Sequence, residues 1–210
     1  MKEPIFDEQA LVTGSFFQIY EEEDFSLMQR RFQKELVEGQ TIQHPLIDKS
    51  VFLNMVFHEN YFSRIDLTDC LFSDCDFSGC HLDQGLFHRV VFRNCKFTGT
   101  VFKKGYLSNT QFENCKIDLA DFADVKFKMV AYRECNLANT DFFESQMTKI
   151  AFAHCQLDEA IFTGAELKSL DLSTCSFSDL ELDQWQLKKC QVNLQQAAFF
   201  ARKFLGLQIK

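Results

Sequence analysis

Residues 72–92 read Phe72-Ser-Asp-Cys75-Asp-Phe77-Ser-Gly-Cys80-His-Leu82-Asp-Gln-Gly85-Leu-Phe87-His-Arg-Val90-Val-Phe92. A large apolar residue falls at every fifth position. Outward from this stretch the step is unbroken from Phe52 to Val192, passing through Leu107, Phe122, Phe142, Phe162 and Leu182. A period of five fits neither the 3.6 of a helix nor the 2 of a strand. The repeat is therefore itself the structural unit, and successive units must bury one another. Ile42 and Ile47 share the phase of Phe52, so the repeat is expected to begin near Gln40.

A second series, two residues ahead of the first, is small or compact: Cys95, Thr100, Gly105, Thr110, Cys115, Ala120 and their equivalents. All nine cysteines fall in it, and Cys75, Cys95, Cys115, Cys135, Cys155 and Cys175 recur at intervals of 20. These spacings match no C-x-x-C metal or redox motif. The cysteines read as buried, reduced thiols packing as small hydrophobes.

With 210 residues, 46% of them hydrophobic, the chain has ample core material. It contains no run of 18 apolar residues, and Met1-Lys-Glu-Pro4 opens without an apolar signal core. A cytoplasmic protein is expected. All five histidines fall on outward phases, and no P-loop, G-x-S-x-G or G-x-G-x-x-G occurs. No catalytic residue, metal site or cofactor is expected, and the protein reads as a non-enzyme.

The pattern small, polar, Leu or Phe, polar, polar, as in Cys75-Asp-Phe-Ser-Gly79 and Ala160-Ile-Phe-Thr-Gly164, resembles the pentapeptide repeat family over about two thirds of the chain. The resemblance implies an all-β solenoid, a right-handed quadrilateral β-helix with four pentads in each 20-residue coil. Coils then stack at the inter-strand spacing of ~4.8 Å. Three segments are expected. Residues 1–39 form a non-repeat cap, with a strand around Phe16, Phe17, Ile19 and Tyr20 and an amphipathic helix through Phe25, Met28, Phe32 and Leu36. Residues 40–192 form the solenoid. Residues 193–210 form a helix with Asn193 as N-cap and Gly206 as C-cap, then a short strand.

The 20-residue coil assigns each outward charge to one of four faces. In the C-terminal half, the face centred on Phe122, Phe142, Phe162 and Leu182 carries Asp121, Asp124, Asp141, Glu144, Glu181 and Asp183. Its neighbour adds Asp118, Asp158, Glu159 and Asp179 against Lys116. The face centred on Phe127 and Met147 is basic, with Lys126, Lys128, Lys149, Lys168, Lys188 and Lys189 against Glu166. The net charge of −8 thus conceals an acidic and a basic side. Carboxylates spaced along a rigid rod can imitate the phosphates of a duplex.

The tail from Asn193 to Lys210 is similar to the C-terminal dimerisation module of the Qnr and MfpA branch, best at Gln196-Ala197, Arg202 and Leu205-Gly206. Members of that branch are dimeric DNA mimics that bind type II topoisomerases, DNA gyrase or topoisomerase IV, and protect them from quinolones or inhibit them. The resemblance implies a homodimer with Phe199, Phe200, Phe204 and Leu205 at the two-fold interface. It implies partner binding through Asp121, Asp124, Asp141, Glu144, Asp158, Glu159, Asp179, Glu181 and Asp183.

The alternative is a scaffold that binds another protein through the outward Val51, Leu71 and Val91 or through the lysines. Direct nucleic-acid binding is not expected, because the net charge is negative and few aromatic residues accompany the lysines. Trp185 stands at a phase that takes a small residue and is expected to wedge the last coil open beside the tail helix.

Overall fold

The computed structural model describes residues 1–167 and 169–209. Strands β1 (Val12–Thr13), β2 (Ser26–Met28), β3 (Arg30–Gln33), β4 (Leu36–Glu38), β5 (Leu46–Asp48), β6 (Val51–Leu53) and β7 (Val56–His58) lead into five longer strands. These are β8 (Asp66–Ser73), β9 (Leu86–Arg93), β10 (Tyr106–Glu113), β11 (Lys126–Arg133) and β12 (Gln146–Ala153). Short strands β13 (Ala160–Ile161) and β14 (Leu180–Glu181) and helix α1 (Leu194–Leu205) complete the chain. Every strand pairing among the described residues is parallel, and all are displaced by 20 residues, as in Leu107 against Phe127 and Phe127 against Met147, except β1 with β3, which is displaced by 18. The result is a right-handed quadrilateral β-helix of about eight turns, closed by a C-terminal helix.

Each pentad buries its centre. On one wall, Phe32, Phe52, Phe72, Phe92, Phe112, Tyr132 and Phe152 form a stack with ring centroids 4.4–5.1 Å apart. Phe102, Phe122, Phe142 and Phe162 form a second. Rings from different walls meet edge to face, as Phe142 does with Phe152 at 83°, the geometry the ring quadrupole favours. The space left among Phe52, Phe57, Phe72, Phe77 and their neighbours is about 10 Å³, too small for more than one water.

The compact series has two physical reasons. At Gly105 a Cβ would come within 2.9 Å of the Phe102 carbonyl, so only glycine fits. At many of its Cys, Thr and Asn members the side chain donates to a carbonyl 23 residues back, in the coil below: Cys95 to Phe72, Cys115 to Phe92, Thr100 to Phe77 (2.8 Å) and Asn60 to Val37 (2.8 Å). These bonds satisfy buried acceptors that would otherwise cost about 1–3 kcal/mol each. All nine cysteines are free thiols. Burial pushes Cys70 up and Cys80 up to about 11, which leaves both poor nucleophiles.

Tyr132 is the one member of its stack with a hydroxyl, and that group is buried without a partner among the described residues. Tyr132→Phe is expected to stabilise the protein by about 1–3 kcal/mol, read as a higher thermal midpoint. A lower midpoint would mean that the hydroxyl makes a favourable contact.

The N-terminal third departs from expectation. Residues 25–38 are not a helix but the strands β2, β3 and β4, paired with β5, β6 and β7. Leu27, Phe32 and Val37 continue the pentad phase inward, whereas Phe25, Met28 and Leu36, the residues that suggested a helical face, are exposed. The solenoid therefore begins at Leu27, not near Gln40. Phe16–Tyr20 is a 3-10 helix rather than a strand, opened by a Ser15/Gln18 capping box. It seals the first coils by setting Phe16 against Phe32, Phe57 and Phe62, with ring centroids 5.4–6.5 Å away.

Residues before β1 run back along the rod as an arm. The Ile5 N–H donates to Asp69 (2.9 Å), the Lys2 N–H to Asn109 (3.2 Å), and the Gln111 amide to Glu3 (2.6 Å). Pro4 and Phe6 border Leu71 and Val91. The Val51, Leu71 and Val91 stripe is thereby covered by the chain's own N-terminus and is not a free partner surface.

Asp69 is buried, which opposes its ionisation. The Arg89 guanidinium, bonded to both carboxylate oxygens at 2.5 and 2.6 Å, and the Ile5 N–H outweigh burial and hold the carboxyl below its usual range. A depressed carboxyl stabilises the fold above its unfolded pKa, about 4, and that stability is lost as pH falls through the folded value. Hydrogen-exchange protection of the Ile5 amide is thus expected to fall below about pH 4, while that of Leu107 in β10 persists. Equal loss at both sites would exclude a local latch.

At the other end, Asn193 and Gly206 cap α1 as expected, with Gly206 left-handed at φ 66°. No strand forms over residues 207–209. Trp185 does not wedge the last coil. Residues Gln184–Leu187 form a 3-10 turn that turns Gln186 inward and leaves the indole 63% exposed.

Candidate partner-binding surface

The corner turns place the residue two after most pentad centres in the left-handed region, Asp124 at φ 60° and Glu144 at φ 53° among them, but not Asp179. Side chains there project from the rod's edges. Asp121, Asp141, Ile161 and Glu181 form one file across consecutive coils. Three coil steps span about 14 Å, over which a duplex presents roughly eight phosphates. The two acidic faces carry ten carboxylates in that length.

The expected site residues are not equivalent. Asp121 and Asp141 accept from the backbone N–H of Ala123 (3.1 Å) and Phe143 (2.8 Å), which pins one oxygen of each to its own turn. Lys103 neutralises Asp121 at 2.7 Å, and Lys116 lies 3.8 Å from Asp118. Asp158 accepts from both the N–H and hydroxyl of Ser178 (2.7 Å). Asp179 is held by Lys203 of α1 at 2.5 Å; that bond lowers its pKa against the opposing effect of burial. Asp183 is half-buried at the start of the 3-10 turn. Asp124, Glu144, Glu159 and Glu181 are exposed and make no hydrogen bond or ion pair among the described residues. The sequence shows all nine carboxylates alike; only the hydrogen bonds separate these four.

The lysine face lies on the adjacent wall, and Lys126, Lys128, Lys149, Lys188 and Lys189 are exposed there. Lys168 lies outside the described residues.

The four residues expected at a two-fold interface divide. Phe200 is buried in the chain's own core against Phe177, and Phe199 and Phe204 are half-buried beside it. Only Leu205, 61% exposed, is open to a partner. Leu194, at 86%, with Ala197 and Ala201, extends that outward side at helical spacing, and Leu207 and Ile209 continue it. Two glutamines have a role the sequence reading missed: Gln186 went unnoticed there, and Gln196 figured only in the likeness of the tail. Gln186 donates to the carbonyls of Phe162 and Ala165 (2.6 and 2.7 Å), and Gln196 to those of Leu172 and Cys175 (2.8 and 2.9 Å). The spacings Asp183-x-x-Gln186 and Asn193-x-x-Gln196 are the legible signal for both.

The chain is a Phe-packed rod of stacked pentads with an outward charge pattern. Residues 85–162 match the profile of the pentapeptide repeat region, and residues 30–122 also match that of the SV2A/B/C luminal domain. With its coil geometry, this gives the chain the β-solenoid fold of pentapeptide repeat structures.

Among solved structures, a trypsin-treated variant of QnrB1, a plasmid-mediated fluoroquinolone resistance protein, is 17% identical. The match covers 86% of this chain and 99% of that one, with a TM-score of 0.50. Full-length QnrB1 is 15% identical over 84% of this chain and 100% of its own, with a TM-score of 0.41. HetL, a pentapeptide repeat protein of the cyanobacterium Nostoc involved in heterocyst differentiation regulation, is 11% identical over 79% and 86%, with a TM-score of 0.23. No curated protein matches the chain in sequence. No helix among the described residues is long and apolar enough to cross a membrane.

Proposed function

We propose that the protein is a non-enzymatic DNA mimic that binds DNA gyrase, or its relative topoisomerase IV, in the cytoplasm as a homodimer, and protects the enzyme from quinolones or modulates its activity. The observation that carries this reading is the group of unpaired carboxylates Asp124, Glu144, Glu159 and Glu181 on rigid coils at the end of the rod nearest α1. Four charges over about 14 Å match the charge density of one strand of a duplex, and a basic DNA channel would attract them. The likeness of the tail to the Qnr and MfpA module and the fold shared with QnrB1 point the same way.

The test is gyrase supercoiling with the purified protein titrated in, with and without a quinolone. Rescue of drug-blocked supercoiling, or inhibition at low concentration, supports the reading and separates its two outcomes. No effect from folded, dimeric protein overturns it.

For the homodimer, the free side of α1 is the proposed contact: Leu194, Ala197, Ala201 and Leu205. A groove of about 460 Å³ beside it, bordered by Phe177, Gln196, Phe199 and Arg202, offers room for the partner's residues 207–209. The double variant Leu194→Glu/Leu205→Glu is expected to sediment as a monomer with little change in thermal midpoint. Phe200→Ala is expected to destabilise the last coil instead. A double variant that stays dimeric places the interface elsewhere.

A further inference from the structure

The outward turn of Trp185 changes what the lysine face can do. Gln186 occupies the interior at the last coil, both protons of its amide bonded to carbonyls. The indole therefore stands in solvent over a groove of about 390 Å³, lined by Glu166, Leu167, Gln186, Lys188 and Lys189. Lys126, Lys128 and Lys149 follow on earlier coils of the same face, so five ammonium groups lie within about 14 Å along the rod. None of the five makes an ion pair among the described residues, whereas Lys96, Lys103, Lys116 and Lys203 each hold a carboxylate.

We propose that this face binds single-stranded nucleic acid, with the lysines taking successive phosphates and Trp185 stacking on an unpaired base. A positive track beside an exposed aromatic ring is the general recipe for single-strand binding. A duplex offers the same phosphates, but its bases are covered by their neighbours and leave the indole without a partner. An acidic peptide offers charge but no flat π-face. The net charge of −8 does not oppose this, because at physiological salt potentials fade over about 8 Å and the carboxylates lie chiefly on other walls. Glu166 is the one carboxylate in the groove lining, against two lysines. The proposal is independent of the topoisomerase reading, which uses the acidic faces.

Trp185 is the only tryptophan, so the emission of the intact protein reports this site alone. Titration with a thymidine oligonucleotide about twelve bases long at low salt is expected to quench it saturably. Three to four phosphates contacted would give a slope of log affinity against log salt of roughly −2 to −3. Measured by the anisotropy of a labelled oligonucleotide, Trp185→Ala should bind about 5- to 150-fold more weakly, the worth of one stacked base. Lys188→Glu/Lys189→Glu should bind at least about tenfold more weakly. Thermal unfolding of each variant checks its fold, and the quenching experiment needs no variant.

Absence of quenching at low salt overturns the proposal. Equal quenching by a duplex of the same length also overturns it, by removing the stacking element. Equal quenching by polyglutamate overturns it in favour of an acidic protein partner.

Discussion

Exchanging Asp124, Glu144, Glu159 and Glu181 together for lysine is expected to abolish the proposed effect on gyrase at every concentration at which the wild type acts. The four carboxylates make no internal hydrogen bond or ion pair, so reversing them changes the field of the rod and little else. Exposed substitutions of this kind usually alter stability by no more than about 0.5 kcal/mol each, and thermal unfolding verifies that the rod is intact. The choice of residues matters. Asp141 holds the Phe143 N–H and Asp158 holds Ser178, so changing them would mix loss of a turn with loss of charge. A quadruple variant that rescues or inhibits gyrase as well as the wild type would remove DNA mimicry as the mechanism, and a partial effect would locate the contact closer to Asp179 or Asp183.

Phe142→Ala is expected to cost about 3–5 kcal/mol, a large part of the stability of a typical domain. The ring is fully buried, stacked on Phe122 at 5.4 Å and Phe162 at 4.9 Å, and edge-on to Phe152 at 5.9 Å. A solenoid is held together by the interfaces between neighbouring repeats, so the loss falls on one junction rather than being spread over a globular core. Beyond a lower denaturation midpoint, the variant should separate the unfolding of the C-terminal coils, followed by Trp185 emission, from that of the whole, followed by circular dichroism. Coincident transitions with a shift below about 1 kcal/mol would show that the neighbouring rings close the gap, contrary to the partial relaxation of most large-to-small core changes.

The solenoid was legible because an unbroken five-residue period makes the repeat the structural unit; the resemblance to pentapeptide repeats implied the 20-residue coil, and the interval of 20 between cysteines supported it. The first coil was missed for a physical reason. Phe32 belongs both to a pentad series and to a helical series with Phe25, Met28 and Leu36, and only the pairing of β3 with β6 decides between them. Trp185 was misjudged because phase counting assumes an unbroken strand, and a single 3-10 turn moves the inward position by one residue to Gln186. In α1 the apolar residues surround the helix, so the sequence could not tell Phe200, which faces the chain's own core, from Leu205, which faces away. The charge of the acidic faces was legible. Which carboxylates are free was not, because that depends on turn hydrogen bonds such as Phe143 N–H to Asp141.

The two glutamines at the end of the rod bear on a hazard inherent in its construction. A coil that stacks on an identical coil by simple translation is a one-dimensional crystal, and its last layer presents a template on which another chain could lay a strand. Gln186 fills two carbonyl acceptors of the coil beneath the last one, Gln196 fills two of the last coil itself, and α1 lies across the remainder. Amide caps of this kind, with the helix above them, cover acceptors on which a further coil would otherwise stack.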